Sequence, residues 1–286
     1  MKHVVMTPNP YRDRTFRYAR EAEQILRAAG ISSKTCLSFD VDKNFELPED
    51  METAPLDEAL KEAECLICFG GDGTILHASK AASAANVPIL GVNIGTLGFM
   101  AELESSEIPL LARLATDEYQ IDERMMLHVC LRRDGNIVFE DTALNDAVIT
   151  KGAVARVIQI SASFDEVEAI RFNGDGIVVA TPTGSTAYSM SAGGPVVEPS
   201  ARNILLTPIC AHDMQTRGIV VSAERKVRIS VGRILRRNAF LSVDGGRAVK
   251  VFTGDTIEIS ASRQTTRLIH LKDKRFFEII KNKLNR

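Results

Sequence analysis

Several things are missing from this chain of 286 residues, and each absence closes off a class of function. No apolar run approaches the roughly 20 residues that a membrane span needs. With 35 Lys and Arg against 37 Asp and Glu the net charge is only −2, so nothing argues for a nucleic-acid or membrane surface. Two familiar phosphate motifs are absent: there is no G-x-x-x-x-G-K-[ST] and no G-x-G-x-x-G. No His/Cys cluster has zinc spacing, so no protein-held metal is expected. The five cysteines, an odd number, are scattered, which reads as a reducing, cytoplasmic setting. Cys65 and Cys68 do form a C-x-x-C. In a strand, however, positions three apart point to opposite faces, so buried apolar cysteine is the reading. The start, MKHVVMTPNP, goes straight into a strand-like stretch and a turn and is read as no signal peptide.

The composition that is present, 45% hydrophobic and 25% charged, is that of a globular chain long enough for about two domains. Its focus is Cys65–Thr74, CLICFGGDGT. A short apolar run reads as a buried strand and breaks into Gly70-Gly71-Asp72-Gly73-Thr74. A helical pattern follows, carried by Ile75, Leu76, Ala78, Ser79 and Ala82. Strand, glycine turn and helix aim backbone N–H groups at an anion. The glycines let the main chain approach a phosphate without a Cβ in the way. Thr74 is the expected helix cap. Asp72 is the odd member: in a phosphate cradle a carboxylate repels its ligand unless a cation bridges them or it has chemistry to do. A plain structural turn is the competing reading, since Asp-Gly is a common turn pair.

Around this focus the first part of the chain alternates strand and helix. Val4–Met6 reads as a strand and 13–29 as a helix closed by Gly30. Thr35–Phe39 reads as a strand, the acidic stretch 40–56 as a mobile loop, and Leu56–Ala63 as a short helix. After the helix Thr74–Ala85, a strand Pro88–Val92 ends in a second glycine loop, Asn93–Phe99, and a helix Ser105–Leu114 closes this half. Alternation of this kind predicts a Rossmann-like parallel sheet with helices on both faces and ligands at its C-terminal strand ends.

Beyond Tyr119 the pattern becomes β. Leu127–Leu131 and Ile137–Phe139 flank a hairpin signal at Asp134-Gly135. Strand-length runs recur at Ala143–Thr150, Val154–Ser161, Glu166–Phe172, Gly176–Thr181, Gly218–Val221, Val227–Val231, Ala239–Val243, Ala248–Phe252 and Asp255–Ile259. The fold class expected is therefore an α/β plus all-β two-domain chain. An α/β nucleotide-binding domain spans 1–118, a β-sandwich-like domain 119–262, and 263–286 returns to the first domain. The last stretch, Lys272–Leu284, is amphipathic, with Phe276, Phe277, Ile280 and Leu284 on one face and Lys274, Lys281 and Lys283 largely on the other. It reads as a helix packing on the chain's own core, a basic membrane-surface helix being the alternative.

One segment of the β half does not read as scaffold: Asn173-Gly-Asp175-Gly176, then Thr181-Pro-Thr183-Gly184-Ser185-Thr186-Ala187-Tyr188-Ser189-Met190-Ser191, then Gly193-Gly194-Pro195. So many hydroxyls beside glycines suit a ligand with phosphates and sugars, and Ser185 or Thr186 is placed to cap a short helix. Upstream, Asn145-Asp146 puts an amide and a carboxylate inside a strand, for a cleft or as local turn residues.

The combination GGDGT, NIGTLGF, LNDAVI and DGIVVATPTGSTAYSMSAGGP, in that order along nearly the whole chain, resembles NAD kinase. The resemblance implies phosphoryl transfer from ATP, another nucleoside triphosphate or polyphosphate to the 2′-hydroxyl of the adenosine ribose of NAD, giving NADP. It implies a divalent metal, Mg²⁺ or Mn²⁺, and a cytoplasmic homodimer or homotetramer with its site between two domains. It also implies roles. Asp72 matches the catalytic base, and Gly71 and Gly73 the phosphate-facing backbone. His77 stands where a basic residue lies near phosphate, and Phe99 lines the adenine pocket. Asn145 and Asp146 match an Asn-Glu pair that holds the ribose of the nicotinamide side. Arg156 and Asn173 line the site, and Asp175 lies near the nicotinamide amide. Thr183 and the run Thr186, Ala187, Tyr188, Ser189, Met190, Ser191 wrap the adenine and ribose. Three departures stand out. Asp146 is one methylene shorter than Glu. Ile94 and Thr96 leave a basic or polar contact unfilled. Gly246 replaces a polar residue. The alternatives are another GGDGT kinase, acting on a lipid or a sugar phosphate, and a non-catalytic dinucleotide sensor.

Overall fold

The structure, a computed structural model, describes residues 1–38, 54–95, 98–152, 156–213, 215–232, 238–272 and 276–284. The acidic stretch 40–53, the end of the strand expected at Phe39, Thr96 in the second glycine loop, Val154 and Lys274 lie outside the described residues, as does the side chain of Lys283. The chain divides into two compact units, Met1–Glu123 with Thr266–Arg286, and Arg124–Thr265.

In the first unit β1 (His3–Pro8), β2 (Ser32–Thr35), β3 (Cys65–Gly70) and β4 (Ile89–Asn93) run parallel in the order β2-β1-β3-β4, with the short β5 (Leu103–Glu104) beside β4. Every residue of β3 and β4 is buried, as a parallel strand covered on both faces requires. That accounts for the apolar run before the glycines, and it places Cys65 and Cys68 as free, buried thiols whose pKa values burial pushes up. Helix α1 (Arg17–Ala28) buries Ala19, Ala22 and Leu26 on the sheet. It starts four residues later than its pattern predicts because Asp13 acts from outside: its two carboxylate oxygens accept the N–H groups of Arg17 and Tyr18, both at 3.0 Å. Gly30 closes the end with φ +78°. Helix α2 (Leu56–Ala59) is a single turn, and α3 (Asp72–Ala84) follows the glycine elbow. The expected helix at 105–114 is instead a 3₁₀ helix, Ser105–Thr116, with Pro109 inside it. Proline has no N–H to give an α-helical bond, which favours the tighter winding.

Among its described residues the second unit is mostly β, the stretch 181–202 being irregular with one 3₁₀ and one α turn. β6 (Gln120–Arg133) and β7 (Asn136–Ala143) form the predicted hairpin, with Asp134 and Gly135 at φ 50° and 81°. There follow β8 (Asp146–Lys151), β9 (Ile158–Phe164), β10 (Val167–Gly174), β11 (Gly176–Ala180), the one-turn α4 (Tyr188–Ser191), β12 (Asn203–Ile209), β13 (Ile219–Ser222), β14 (Val227–Val231), β15 (Ala239–Val243), β16 (Val249–Val251) and β17 (Thr256–His270). One sheet has the order β13-β12-β11-β8-β15-β16; β10-β9-β14-β17 form another ladder, and β6 joins it. Leu127, Ile160, Phe172, Ile229 and Ile257 share one core with Ile149, Ile177, Leu206 and Leu241, so the two layers pack face to face.

The structure corrects several readings. Strand β12 was not expected. Thr207-Pro208 breaks the strand pattern, yet Pro208 lies past Asn203–Leu206, the part that β13 pairs. β17 continues through the polar 260–265 to His270; its end belongs to the first unit, where Leu268 aligns with Ile89. α5 (Phe276–Leu284) starts later than Lys272, and Phe277 is 66% exposed while Phe276, Ile279 and Ile280 are half-buried. Positions i, i+3 and i+4 share a helix face, so Phe276, Ile279 and Ile280 form the apolar stripe and Phe277 turns away.

Candidate active site

The glycine elbow at the end of β3 is built for close approach. Gly70 must be glycine for an internal reason: a Cβ there would stand 1.9 Å from Oγ1 of Thr74. At Gly71 and Gly73 an added Cβ would meet nothing within 4 Å, so these two present bare backbone at the start of α3. Gly71, extended at φ −123°, is the N-cap residue, and Thr74 lies inside the first turn. The expected cap at Thr74 is therefore wrong. Its hydroxyl instead accepts the amide of Asn9 at 3.2 Å, tying the β1 loop to the elbow. His77 lies one turn further along α3 and is exposed.

Asp72, half-buried, does not point at the elbow's own amides. Its Oδ2 accepts the N–H of Phe99 at 2.7 Å and its Oδ1 that of Met100 at 3.0 Å. The second glycine loop thus closes over the carboxylate of the first. Gly98 makes this possible, since a Cβ there would lie 2.0 Å from Oδ1 of Asp72. Phe99 is half-buried beside it. Upstream in the same loop, Asn93 holds the chain by accepting the N–H of Gly95 and donating to Glu104.

In the second unit a comparable clasp holds Asn145 and Asp146. β7 ends at Ala143 and β8 starts at Asp146, so the expected continuous strand Ala143–Thr150 is broken at Leu144–Asn145. Asp244, at φ 50°, accepts the N–H groups of Leu144 (2.7 Å), Asn145 (2.8 Å) and Asp146 (3.0 Å). Thr181 fixes the other side: its N–H donates to the carbonyl of Asn145 and its hydroxyl to that of Leu144. Gly184 packs flat on this turn, because a Cβ would stand 2.1 Å from the Asn145 carbonyl oxygen. Asp146 is buried, and burial, with the Asp244 charge second, pushes its carboxyl up to about 7.

The hydroxyl-rich segment separates into scaffold and surface. Ser185 bonds both ways with the backbone of Val197. Ser189 is buried against Thr207 at 2.9 Å, with Gly194 pressed onto both. Thr183, buried, accepts from Arg124, and Thr186 donates to the Thr183 carbonyl at 3.2 Å. Neither Ser185 nor Thr186 caps α4; its N-cap residue is Ala187. Tyr188 and Ser191 are exposed, and Met190 is half-buried. Arg156 and Asn173 are exposed, with the Asn173 carbonyl accepting the N–H of His212. Asp175 is ion-paired with Lys151 at 2.7 Å. The sequence reading gave Asp244 and Lys151 no role and named Thr181 only within the hydroxyl-rich segment; Asp244-Gly245 carried only the signal of an ordinary turn. Among the described residues no three His, Cys, Asp or Glu side chains gather as a metal cage.

Comparison with known proteins gives a consistent result. The ATP-NAD kinase N-terminal domain matches residues 4–119 and the ATP-NAD kinase C-terminal domain residues 144–271. The NAD kinase of Ruminiclostridium cellulolyticum is 35% identical over 285 residues, covering 99% of this chain and 98% of its own. That of Symbiobacterium thermophilum is 42% identical over 233 residues, covering 81% and 82%. Among solved structures, yeast NADH kinase complexed with NADH superposes with a TM-score of 0.86 at 25% identity, over 100% of this chain and 88% of that one. An NAD kinase from Archaeoglobus fulgidus in complex with ATP shares the fold, with a TM-score of 0.74 at 24% identity over 100% and 99%.

Proposed function

The chain belongs to the ATP-NAD kinase family, and from that premise we propose how its residues divide the work. The protein is a kinase that phosphorylates NAD, and in our reading the donor is ATP, another nucleoside triphosphate or polyphosphate. In our reading the acceptor is the 2′-hydroxyl of the adenosine ribose and the product NADP. The observation that carries the reading is the clasp of Phe99 and Met100 on Asp72.

Phosphoryl transfer has a loose transition state, so catalysis is mostly positioning and charge neutralisation. A secondary ribose hydroxyl must lose its proton as the new bond forms, and Asp72 takes it. A carboxylate offers about four acceptor positions. Two are occupied by backbone amides, which fix the orientation of the group and leave lone pairs for the hydroxyl. Base catalysis of this kind contributes roughly 10²–10⁴-fold. Gly71 and Gly73 let donor phosphates approach the start of α3, and His77 adds a basic group there. Phe99 gives apolar contact to adenine. Asn145 and Asp146 accept and donate to ribose hydroxyls, presented by the Asp244 and Thr181 clasp. Thr183, Thr186, Ala187, Tyr188, Met190 and Ser191 line the nucleotide, with Arg156, Asn173 and Asp175 toward the nicotinamide side, while Ser189, buried against Thr207, is scaffold and not the nucleotide contact expected of it.

A divalent cation belongs to this reading. Mg²⁺ is commonly held through substrate phosphates and one or two carboxylates, which suits a protein whose described residues gather no cage of their own; Asp72 is the carboxylate that would face it. When bound it would neutralise charge on the donor phosphates. The reading includes a cytoplasmic homodimer or homotetramer. Buried, unpaired Cys36, Cys65, Cys68 and Cys130 support a reducing compartment.

The test is a phosphoryl-transfer assay with labelled ATP offered NAD, NADH, diacylglycerol or fructose 6-phosphate, with and without Mg²⁺ or Mn²⁺. Label should appear in the dinucleotide and require metal. Transfer to lipid or sugar phosphate, or dinucleotide binding with no turnover over hours, overturns the reading.

A further inference from the structure

One cluster of charged groups in the first unit plays no part in the chemistry above. Glu102, 1% exposed, follows the Phe99–Met100 clasp by two residues. Its Oε1 accepts the N–H groups of Leu271 (3.1 Å) and Lys272 (2.9 Å), and its Oε2 lies 2.8 Å from Nδ1 of His270. The other ring nitrogen, Nε2, lies 3.3 Å from Oδ2 of Asp122. One imidazole therefore stands between two carboxylates. Both ring nitrogens donate only when the ring is protonated, so the geometry selects the imidazolium. Hydrogen bonds to Asp122 and then to Glu102 raise the His270 pKa to about 9 against the opposing effect of burial. Among the described residues, Lys272 pairs with Glu107, and Arg113 donates to the carbonyl of Leu271.

The link from this cluster to Asp72 is short and stiff. The N–H of Glu102 donates to the carbonyl of Gly91 at 2.9 Å. Gly91 admits the segment because a Cβ there would stand 3.0 Å from Cα of Ala101 and 2.5 Å from Cδ1 of Ile75. Residues 98–102 are thus held at one end on Asp72 and at the other by His270 and two backbone amides that follow it.

We propose that His270 and Glu102 are positioning residues for Asp72, fixing the segment whose amides orient its carboxylate toward the ribose hydroxyl. The proposal rests on the reading of Asp72 as the base. Loss of the imidazolium proton turns one ring nitrogen into an acceptor facing a carboxylate. The anchor of the segment is then repelled rather than held, and kcat falls while the donor-binding elbow is untouched.

The experiment is the pH dependence of kcat and of KM for NAD and ATP in the wild type, His270→Gln, Asp122→Asn and Asp72→Asn, each with its melting temperature. The wild type should show an alkaline limb in kcat centred near pH 9, as the titration of a positioning imidazolium requires. His270→Gln should have kcat lower by about 10-fold at neutral pH, no such limb, and a KM for ATP within about twofold of wild type. Asp122, 28% exposed on its side chain, is the gentler change should His270→Gln fail to fold; Asp122→Asn should move the limb to lower pH by about one unit. A His270→Gln enzyme with wild-type kcat, or with reduced kcat and the same limb, overturns the proposal, as does an unmoved limb in Asp122→Asn. Near-normal turnover in Asp72→Asn removes the base reading and this proposal with it. An inactive Asp72→Asn beside an unmoved limb removes this proposal alone.

Discussion

Asp72 and Phe99, 27 positions apart, are joined by a 2.7 Å hydrogen bond from the backbone N–H of Phe99 to the Asp72 carboxylate. The bond ties two loops at the ends of neighbouring parallel strands, where such sheets gather their ligands. It also explains a glycine: Gly98 has no side chain because the Asp72 carboxylate occupies that space. Gly98→Ala is therefore expected to displace the carboxylate, and misplacement by about 1 Å costs on the order of 10²-fold in rate. Steady-state kinetics should show this loss in kcat with NAD binding by calorimetry little changed. Wild-type kcat would show that the contact does not matter.

The hydroxyls of the TPTGSTAYS segment should not behave alike. Ser189 is buried against Thr207, so Ser189→Ala leaves a buried hydroxyl without its partner and should cost about 1–3 kcal/mol of stability. Thr186 is only half-buried, and Thr186→Val should raise KM for NAD with little change in melting temperature. Denaturant unfolding and kinetics on both variants separate the two roles; a reversed pattern would assign them the other way.

Asp146 gives a prediction with a definite sign. Its folded-state carboxyl titrates at about 7, well above an unfolded aspartate. A raised value contributes stability that is complete below the unfolded pKa, about 3.9, and lost as the pH rises through the folded one. Asp146→Asn, always neutral, should therefore gain melting temperature over wild type at about pH 8 more than at about pH 5. An equal difference at both pH values would contradict the burial argument. In the wild type, KM for NAD should rise as the pH falls below about 7, because the protonated acid loses acceptor capacity for the ribose. Asp146→Ala should raise KM for NAD more than KM for ATP.

What the sequence made legible follows from how local each signal is. The buried run Cys65–Phe69 and the glycines after it are set by nearest neighbours, and they fold as read. The hairpin at Asp134-Gly135 is equally local. β12 was hidden by Pro208, a residue that reads as a breaker but lies beyond the stretch that β13 pairs while staying in register with Ile177 of β11. The cap placed at Thr74 failed because the helix starts earlier, at Asp72 with Gly71 as its N-cap, and the Thr74 hydroxyl is left for Asn9, 65 residues away. Likewise, nothing near Asp244 in the chain says that its carboxylate gathers three amides about 100 residues earlier. Asp72 stood out as a candidate from its motif, but the direction of its carboxylate depends on Gly98, Phe99 and Met100. Partners remote in sequence leave no periodicity to read.

The most direct test of the central claim is single-turnover phosphoryl transfer by Asp72→Asn, with NAD and ATP binding measured separately by calorimetry. Loss of at least about two decades in the transfer rate with both dissociation constants within about threefold is the predicted result. Transfer at close to the wild-type rate would contradict the account.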